Sequence, residues 1–282
     1  MTARLGAHRY GKADVRLAVV RRDGATHHFT QMVVEVTLEG DFRAAHTDAD
    51  NSDLLTTDAM RAATYGIAAE QGVRNAEQFG LALGAHCLES AGAATKATVT
   101  IDERPWQRLT VDGRSHPHAF TPAVGGRRTA VCAQERHDAP VVRSGVTDLR
   151  LLKTTGSAFS GFLHDRFTVL AETRDRILAT SVTAEWDYTR ADVDYDHHAT
   201  VVPDVLCRVF AETHSESVQH TIYEMGEATL DACPDIARVR FRLPNEHHIP
   251  ADLSAFGLDN PGEVLEVSAA PHGVIEATIE RP

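Results

Sequence analysis

The pattern of apolar residues predicts an α+β protein made of two tandem β-β-α-α-β-β repeats, with antiparallel sheets carrying helices on one face. Three observations carry that expectation. Runs that alternate polar and apolar residues at period two occur in pairs. Each pair is followed by two segments with apolar residues at helical spacing. The same order then appears a second time, although residue identity between the halves is negligible. The repeats are expected over residues 8–138 and 146–282, joined by a Pro-containing connection from His137 to Gly145.

From Tyr10, the alternation of Val15, Leu17 and Val19 predicts a strand. Arg22-Asp23-Gly24 is a turn signal, and Met32, Val34 and Val36 share one face of the returning strand. Gly40 to Asp53 is polar and irregular and reads as a loop. Thr57-Asp58 can cap a helix over Ala59 to Glu70, whose stripe is Met60, Ala63, Ile67 and Ala68. Asn75, with Gln78 three residues on, opens a second helix that turns Phe79, Leu83 and Cys87 inward. Ala97 to Asp102 and Thr129 to Gln134 alternate as strands, with turn signals at Asp112-Gly113 and Gly125-Gly126 between them.

The second half begins with strands at Asp148 to Thr154 and Ala179 to Trp186, separated by a long excursion through Phe159, Phe162 and Arg176. Pro203 suits a first helical turn, which predicts a helix over Pro203 to Thr213 and leaves Asp194 to Val202 unassigned. Ser215 opens a further helix with Val218, Ile222, Met225 and Thr229 at helical spacing. Strands at Arg238 to Leu243 and Val274 to Ile279 complete the order. Pro244 cannot donate to a sheet ladder, so the first of these ends or bulges there and a turn aims Asn245, Glu246, His247 and His248. Open four-stranded sheets leave unpaired edges, so an oligomer that closes them into a barrel is expected.

Composition narrows the function. With 43% hydrophobic and 24% charged residues, the chain is an ordinary globular protein. A net charge of −12 and the absence of long Lys/Arg runs argue against nucleic acid or an anionic membrane as partner. Cys87, Cys132, Cys207 and Cys233 stand far apart and read as reduced thiols, which points to the cytoplasm. No run approaches the length of a membrane span, and the start has no apolar leader. Sixteen histidines favour metal or proton chemistry without locating it.

Residue types that could do chemistry each have a plain alternative. Thr57-Asp58 and Ser217-Val218-Gln219 stand at helix starts, where backbone amides favour anionic or oxygen-rich ligands; the plainer reading of both is simple capping. Lys12 could be a solvated edge lysine, Arg176 a surface partner of Asp175 or Glu172, and Phe159 a core residue.

Together these positions resemble one family, over about residues 8 to 281. The matching residues are Tyr10-Gly11-Lys12 with Val15-Arg16, Thr57-Asp58, Thr155-Gly156-Ser157, Phe159, Gly161-Phe162, Asp165 and the run Glu172 to Thr180. Phe210 to Ser215, Val218-Gln219, Tyr223 to Gly226, Leu243-Pro244-Asn245, His247-His248 and Pro271 to Thr278 follow in the same order. In these the chain resembles urate oxidase (uricase).

That resemblance implies a tunnelling fold, assembled as a homotetramer around a barrel with active sites at dimer interfaces. It also implies oxidation of urate by dioxygen and water to 5-hydroxyisourate and hydrogen peroxide, with no metal or organic cofactor. Phe159 would stack on the purine, Arg176 and Gln219 would grip one edge, and the Val218 amide would add a donor. Lys12 and Thr57, from the neighbouring subunit, would form a proton-handling dyad, with Asp58 at the other edge of urate. Asn245 would hold dioxygen or water above the ring, and His247 would complete a relay to Thr57. Glu246 departs from the basic residue more usual in the family. Two alternatives stand beside this reading: a metal-dependent enzyme of the same fold acting on a pterin-like heterocycle through three histidines, and a purine-binding module without catalysis. Adjacent histidines on a strand point to opposite faces, so the pairs His27-His28, His197-His198 and His247-His248 supply two ligands only within turns.

Overall fold

The computed structural model describes residues 3–268 and 270–282. Its strands and helices are β1 (Arg9–Asp23), β2 (Thr26–Gly40), α1 (Arg43–Thr47), α2 (Thr57–Gln71), α3 (Ala76–Ser90), β3 (Ala94–Arg104), β4 (Trp106–Val111), β5 (Arg114–Pro122) and β6 (Arg127–Glu135). They continue with β7 (Val141–Lys153), β8 (Leu178–Tyr188), α4 (Tyr195–Glu212), α5 (Val218–Ala232), β9 (Ile236–Pro244), β10 (His247–Pro250), a 3-10 turn at Ser254–Phe256, β11 (Leu265–Ser268) and β12 (Val274–Glu280). The chain divides into two compact units. One holds the described residues up to Gly145 with Asp187–Asp196; the other holds Val146–Trp186 with His197–Pro282.

In the first unit β1, β2, β3 and β6 form one antiparallel ladder. Leu17, Met32, Val34, Val36, Leu38, Val99 and Ile101 alternate inward and meet Met60, Ile67, Phe79 and Leu83 from α2 and α3 in one core. Helix α3 sits close to the sheet because of its glycines. A Cβ on Gly80 would lie 2.8 Å from Cys132 Sγ, and one on Gly84 2.7 Å from Gln134 Nε2. The buried Glu77 of α3 is satisfied by Arg128 of β6 (2.5 Å) and the Ser144 hydroxyl (2.5 Å), while Arg128 also donates to Asp196 (2.9 Å). Removing a partner from such a pair leaves a charge stranded in low dielectric, so the network fixes α3 on its strands.

In the second unit the strand order is β7-β8-β9-β12, and β9 pairs antiparallel with β12. Val182, Ala184 and Trp186 of β8 and Val239, Phe241 and Leu243 of β9 are buried, as are Leu206 and Phe210 of α4 and Ile222 and Met225 of α5. Gly226 lets α5 approach β12 closely, since a Cβ there would lie 2.3 Å from Ile279 Cγ1.

Several expectations change. The residue before α2 that caps it is Thr56, whose hydroxyl accepts the Ala59 N–H (3.1 Å); Thr57 is the first helical residue and Asp58 pairs with Arg61. Either threonine could cap by type, and the extended backbone at Thr56 decides it. The stretch read as a loop after Gly40 contains the short α1, and the connection before Gly145 already enters β7 at Val141. The hairpin β4–β5 joins across the Asp112-Gly113 turn, and β10–β11 forms a second small hairpin. Helix α4 runs through Pro203 rather than starting there. The lost hydrogen bond costs less than exposing Val202, Leu206, Val209 and Phe210, all buried. Helix α5 starts after Ser217, whose hydroxyl accepts the His220 N–H (3.1 Å), and not at Ser215.

Candidate active site

The second unit holds six of the expected residues, and one irregular loop ties two of them, Phe159 and Arg176, to the start of α5. The excursion between β7 and β8 folds back on itself. Phe159 and Thr173 exchange both backbone hydrogen bonds (2.8 and 3.0 Å), and the Arg176 N–H donates to Ser157 O (2.8 Å). The Asp175 carboxylate ties the stem, accepting from the Thr155 hydroxyl (2.8 Å) and the Gly156 N–H (3.0 Å). Those donors hold its pKa below the usual carboxylate range, the Thr155 hydrogen bond contributing most.

The same stem is pinned to the start of α5 through Ser215. Its N–H donates to Gly156 O (2.9 Å) and its carbonyl accepts the Ala158 N–H (2.7 Å). Its hydroxyl, fully buried, lies 2.6 Å from the Thr221 hydroxyl and donates to Ser217 O (3.1 Å). Phe159, Arg176 and the first turn of α5 are thus held together by short-range bonds. Val218 and Gln219 are the first two residues of α5, so their amides have no acceptor within the helix and remain available to an electronegative ligand. Val218 is buried and the Gln219 side chain is exposed.

Arg176 is the clearest signal of a ligand. Its Nε is buried without a hydrogen-bond partner, and its Cζ lies 5.1 Å from the centre of the Phe159 ring. Burial pushes its pKa down, yet no carboxylate among the described residues compensates. The acids once offered as its partners are engaged elsewhere: Asp175 by Thr155 and Gly156, and Glu172 by the Gly161 N–H (3.0 Å) and His164. A half-buried guanidinium with an idle donor suits a planar anion stacked near the ring.

Asn245 and His247 follow β9 where the Pro244 turn redirects the chain. The Asn245 N–H donates to Gly273 O (2.8 Å), the Thr180 hydroxyl donates to Pro244 O (2.7 Å), and the Glu246 N–H donates to Ala179 O (2.9 Å). These bonds leave the Asn245 side chain without a protein partner among the described residues. His247 is half-buried and pairs with Ser268 across β10–β11, while His248 Nδ1 lies 3.2 Å from Glu246 O.

The first unit holds Lys12, Thr57 and Asp58. The β1–β2 register breaks between Lys12 and Val15: Lys12 faces Val36 and Val15 faces Val34. This bulge sets Ala13 and Asp14, the latter at φ +54°, opposite Glu35 alone, and puts Lys12 and Val15 on the same face. Residues directly opposite share a face, and Val36 is wholly buried under the helices, so Lys12 points to the helix side. Two contacts flank this stretch of β1. The Tyr10 hydroxyl lies against the Leu55 backbone without a well-formed hydrogen bond, and the Tyr65 hydroxyl donates to Arg16 O (3.2 Å). Gly11 permits this strand pairing, since a Cβ there would sit 2.0 Å from Val36 O. Asp58 is exposed.

Residue types alone gave Asp175 and Glu172 as surface partners of Arg176 and Ser215 as a helix start, whereas in the structure all three build the loop. The paired signals were a Thr-Gly-Ser stem and, about twenty residues on, an Asp able to accept from it.

An antiparallel α+β chain with an unpaired arginine beside an aromatic ring defines a protein equipped to hold a flat anion. The uricase family model matches residues 8–132 and 142–276. The uricase of Arthrobacter globiformis is 42% identical over 277 residues, covering 98% of this chain and 90% of that protein; the uricase of Danio rerio is 35% identical, covering 96% and 93%. The crystal structure of the Arthrobacter globiformis uricase superposes with a TM-score of 0.94 at 40% identity, covering 100% of this chain and 96% of that one. A uricase structure from Bacillus fastidious shares the fold at 22% identity, with a TM-score of 0.82 over 97% and 93% of the two chains. The chain therefore belongs to the uricase family, enzymes that oxidise urate.

Proposed function

We propose that the chain converts urate, dioxygen and water to 5-hydroxyisourate and hydrogen peroxide without a metal or organic cofactor. Urate gives up two electrons to dioxygen, which leaves as peroxide, and water supplies the hydroxyl at C5. The observation that carries this reading is the idle, buried Nε of Arg176 beside the Phe159 ring. Phe159 stacks on the purine, Arg176 and Gln219 grip its oxygens and ring nitrogens, and the Val218 amide adds a donor. Asn245 holds dioxygen or water over the ring. Lys12 and Thr57 of a neighbouring copy handle the protons, Asp58 fixes the far edge, and His247 relays to Thr57. Dioxygen reacts slowly with closed-shell molecules, so the site must first deprotonate urate into a strong electron donor. A lysine can do this through a threonine hydroxyl, which passes the proton on.

The two units are, in this reading, tandem repeats of a tunnelling fold with boundaries near 8–138 and 146–282, assembled as a homotetramer around a barrel. The four free cysteines support a reducing, cytoplasmic setting. No helix is long and apolar enough to cross a membrane among the described residues.

One assay tests the chemistry: urate absorbance, oxygen uptake and peroxide release, each with and without a chelator. One oxygen consumed and one peroxide released per urate, unaffected by chelation, is expected. Turnover abolished by the chelator would establish the metal-dependent alternative, and tight urate binding without turnover would establish the binding module. Lys12→Met and Thr57→Ala should lower kcat far more than urate affinity; unchanged kcat rules the dyad out.

A further inference from the structure

The loop that carries Phe159 also builds a column of rings. Phe162 stacks on Phe159 with centroids 4.9 Å apart and planes within 15°, and His164 stacks on Phe162 at 4.9 Å and 23°. Glu172 clamps the column at its turn, accepting the Gly161 N–H (3.0 Å) and lying 3.6 Å from His164 Nε2. Gly161 adopts φ +72°, a conformation that a side chain disfavours, and this turn is what folds Phe162 back onto Phe159. Near-parallel rings at this separation are an attractive arrangement, and an aromatic ring has only two faces.

We propose that Phe162 is a positioning residue for the substrate: by stacking on one face of Phe159, it fixes that ring beside the Arg176 guanidinium, whose Cζ lies 5.1 Å from the ring centre, and keeps a flat heterocycle off that face. Glu172 acts one step further back by holding the Gly161 turn. The inference rests on the reading that Phe159 stacks on urate. It adds that the stacking surface is preorganised by a second ring, so less order has to be imposed when urate arrives.

The test is an anaerobic titration with urate, which reports binding without turnover, beside steady-state KM and kcat in air. Phe162→Leu should loosen urate about three- to tenfold, the range expected for one lost aromatic pair, with KM changing more than kcat. Phe162→Tyr, which keeps the ring, should restore wild-type affinity. Glu172→Ala, at an exposed position, should weaken binding in the same sense and Glu172→Gln should rescue it, so the inference stays testable if Phe162→Leu does not fold. Unchanged binding in Phe162→Leu and Glu172→Ala overturns the proposal. Tighter binding in Phe162→Leu also overturns it, because Phe162 would then occupy the face that urate must take. Phe159→Ala is measured in parallel: if it leaves urate binding unchanged, the stacking reading itself fails, and if it weakens binding while Phe162→Leu does not, only the present inference fails.

Discussion

Asp175 shows how a site can depend on a residue that touches no ligand. Its carboxylate accepts from the Thr155 hydroxyl and the Gly156 amide, and the next residue in the chain is Arg176. The folded-state pKa is depressed, chiefly by the Thr155 hydrogen bond, so its contribution is present above the ordinary carboxylate pKa and is lost as pH falls through the lower, folded value. Urate itself titrates in acid, which makes the ratio of KM between Asp175→Asn and the parent protein the informative quantity. That ratio should be several-fold near neutral pH and converge towards one in acid, where the parent carboxyl is protonated as well. A ratio independent of pH would show that the carboxylate charge plays no part in holding the loop. Residue types alone left Arg176 suspended between a surface ion pair and a ligand contact. The structure argues against the ion pair because both neighbouring acids are taken by backbone amides, a fact of loop geometry that no local pattern encodes.

At the scale of elements, β1 is the informative case. Its alternation of Val15, Leu17 and Val19 made the strand legible, but continuing that period towards the N-terminus turns Gly11 and Ala13 inward and Lys12 to solvent. The bulge reverses this assignment, which is why Lys12 read as an edge lysine. Asp14 sits at φ +54° and its carboxylate engages Arg16 at 3.1 Å. Asp tolerates the left-handed region; a β-branched residue does not. Asp14→Val should therefore straighten the strand or strain it, at about 1–3 kcal/mol, seen as a lower Tm. If the bulge aims Lys12, kcat should fall with it, whereas Asp14→Gly should keep both. A lowered Tm with unchanged kcat would show that the bulge is structural only. Other elements escaped for similar reasons. Hairpin β4–β5 is largely exposed and has little alternation beyond its Asp-Gly turn, and α4 continues past Pro203 because burial outweighs one missing hydrogen bond.

For the whole molecule, the sites proposed for chemistry are divided: Lys12, Thr57 and Asp58 belong to the first compact unit, and Phe159, Arg176, Val218, Gln219, Asn245 and His247 to the second. Strand β1 runs 15 residues at the edge of its sheet with one side unpaired, and β12 ends the other unit in the same way. Long bare edges invite pairing, and closing them between copies protects the backbone. A tetramer would sediment at four times 30.7 kDa. Mass alone does not show that sites are shared, but mixing two inactive variants does. In the proposed arrangement, Lys12→Met would remove the base that a chain lends to its neighbour, and Arg176→Ala the substrate grip that it keeps. In a mixed pair, one site combines both defects and the other combines neither. Random reassembly of equal amounts should restore about a quarter of the parental activity, since half the pairs are mixed and half of their sites are intact. Activity no greater than the sum of the two variants measured separately would place every catalytic group of a site in one chain and refute the shared site.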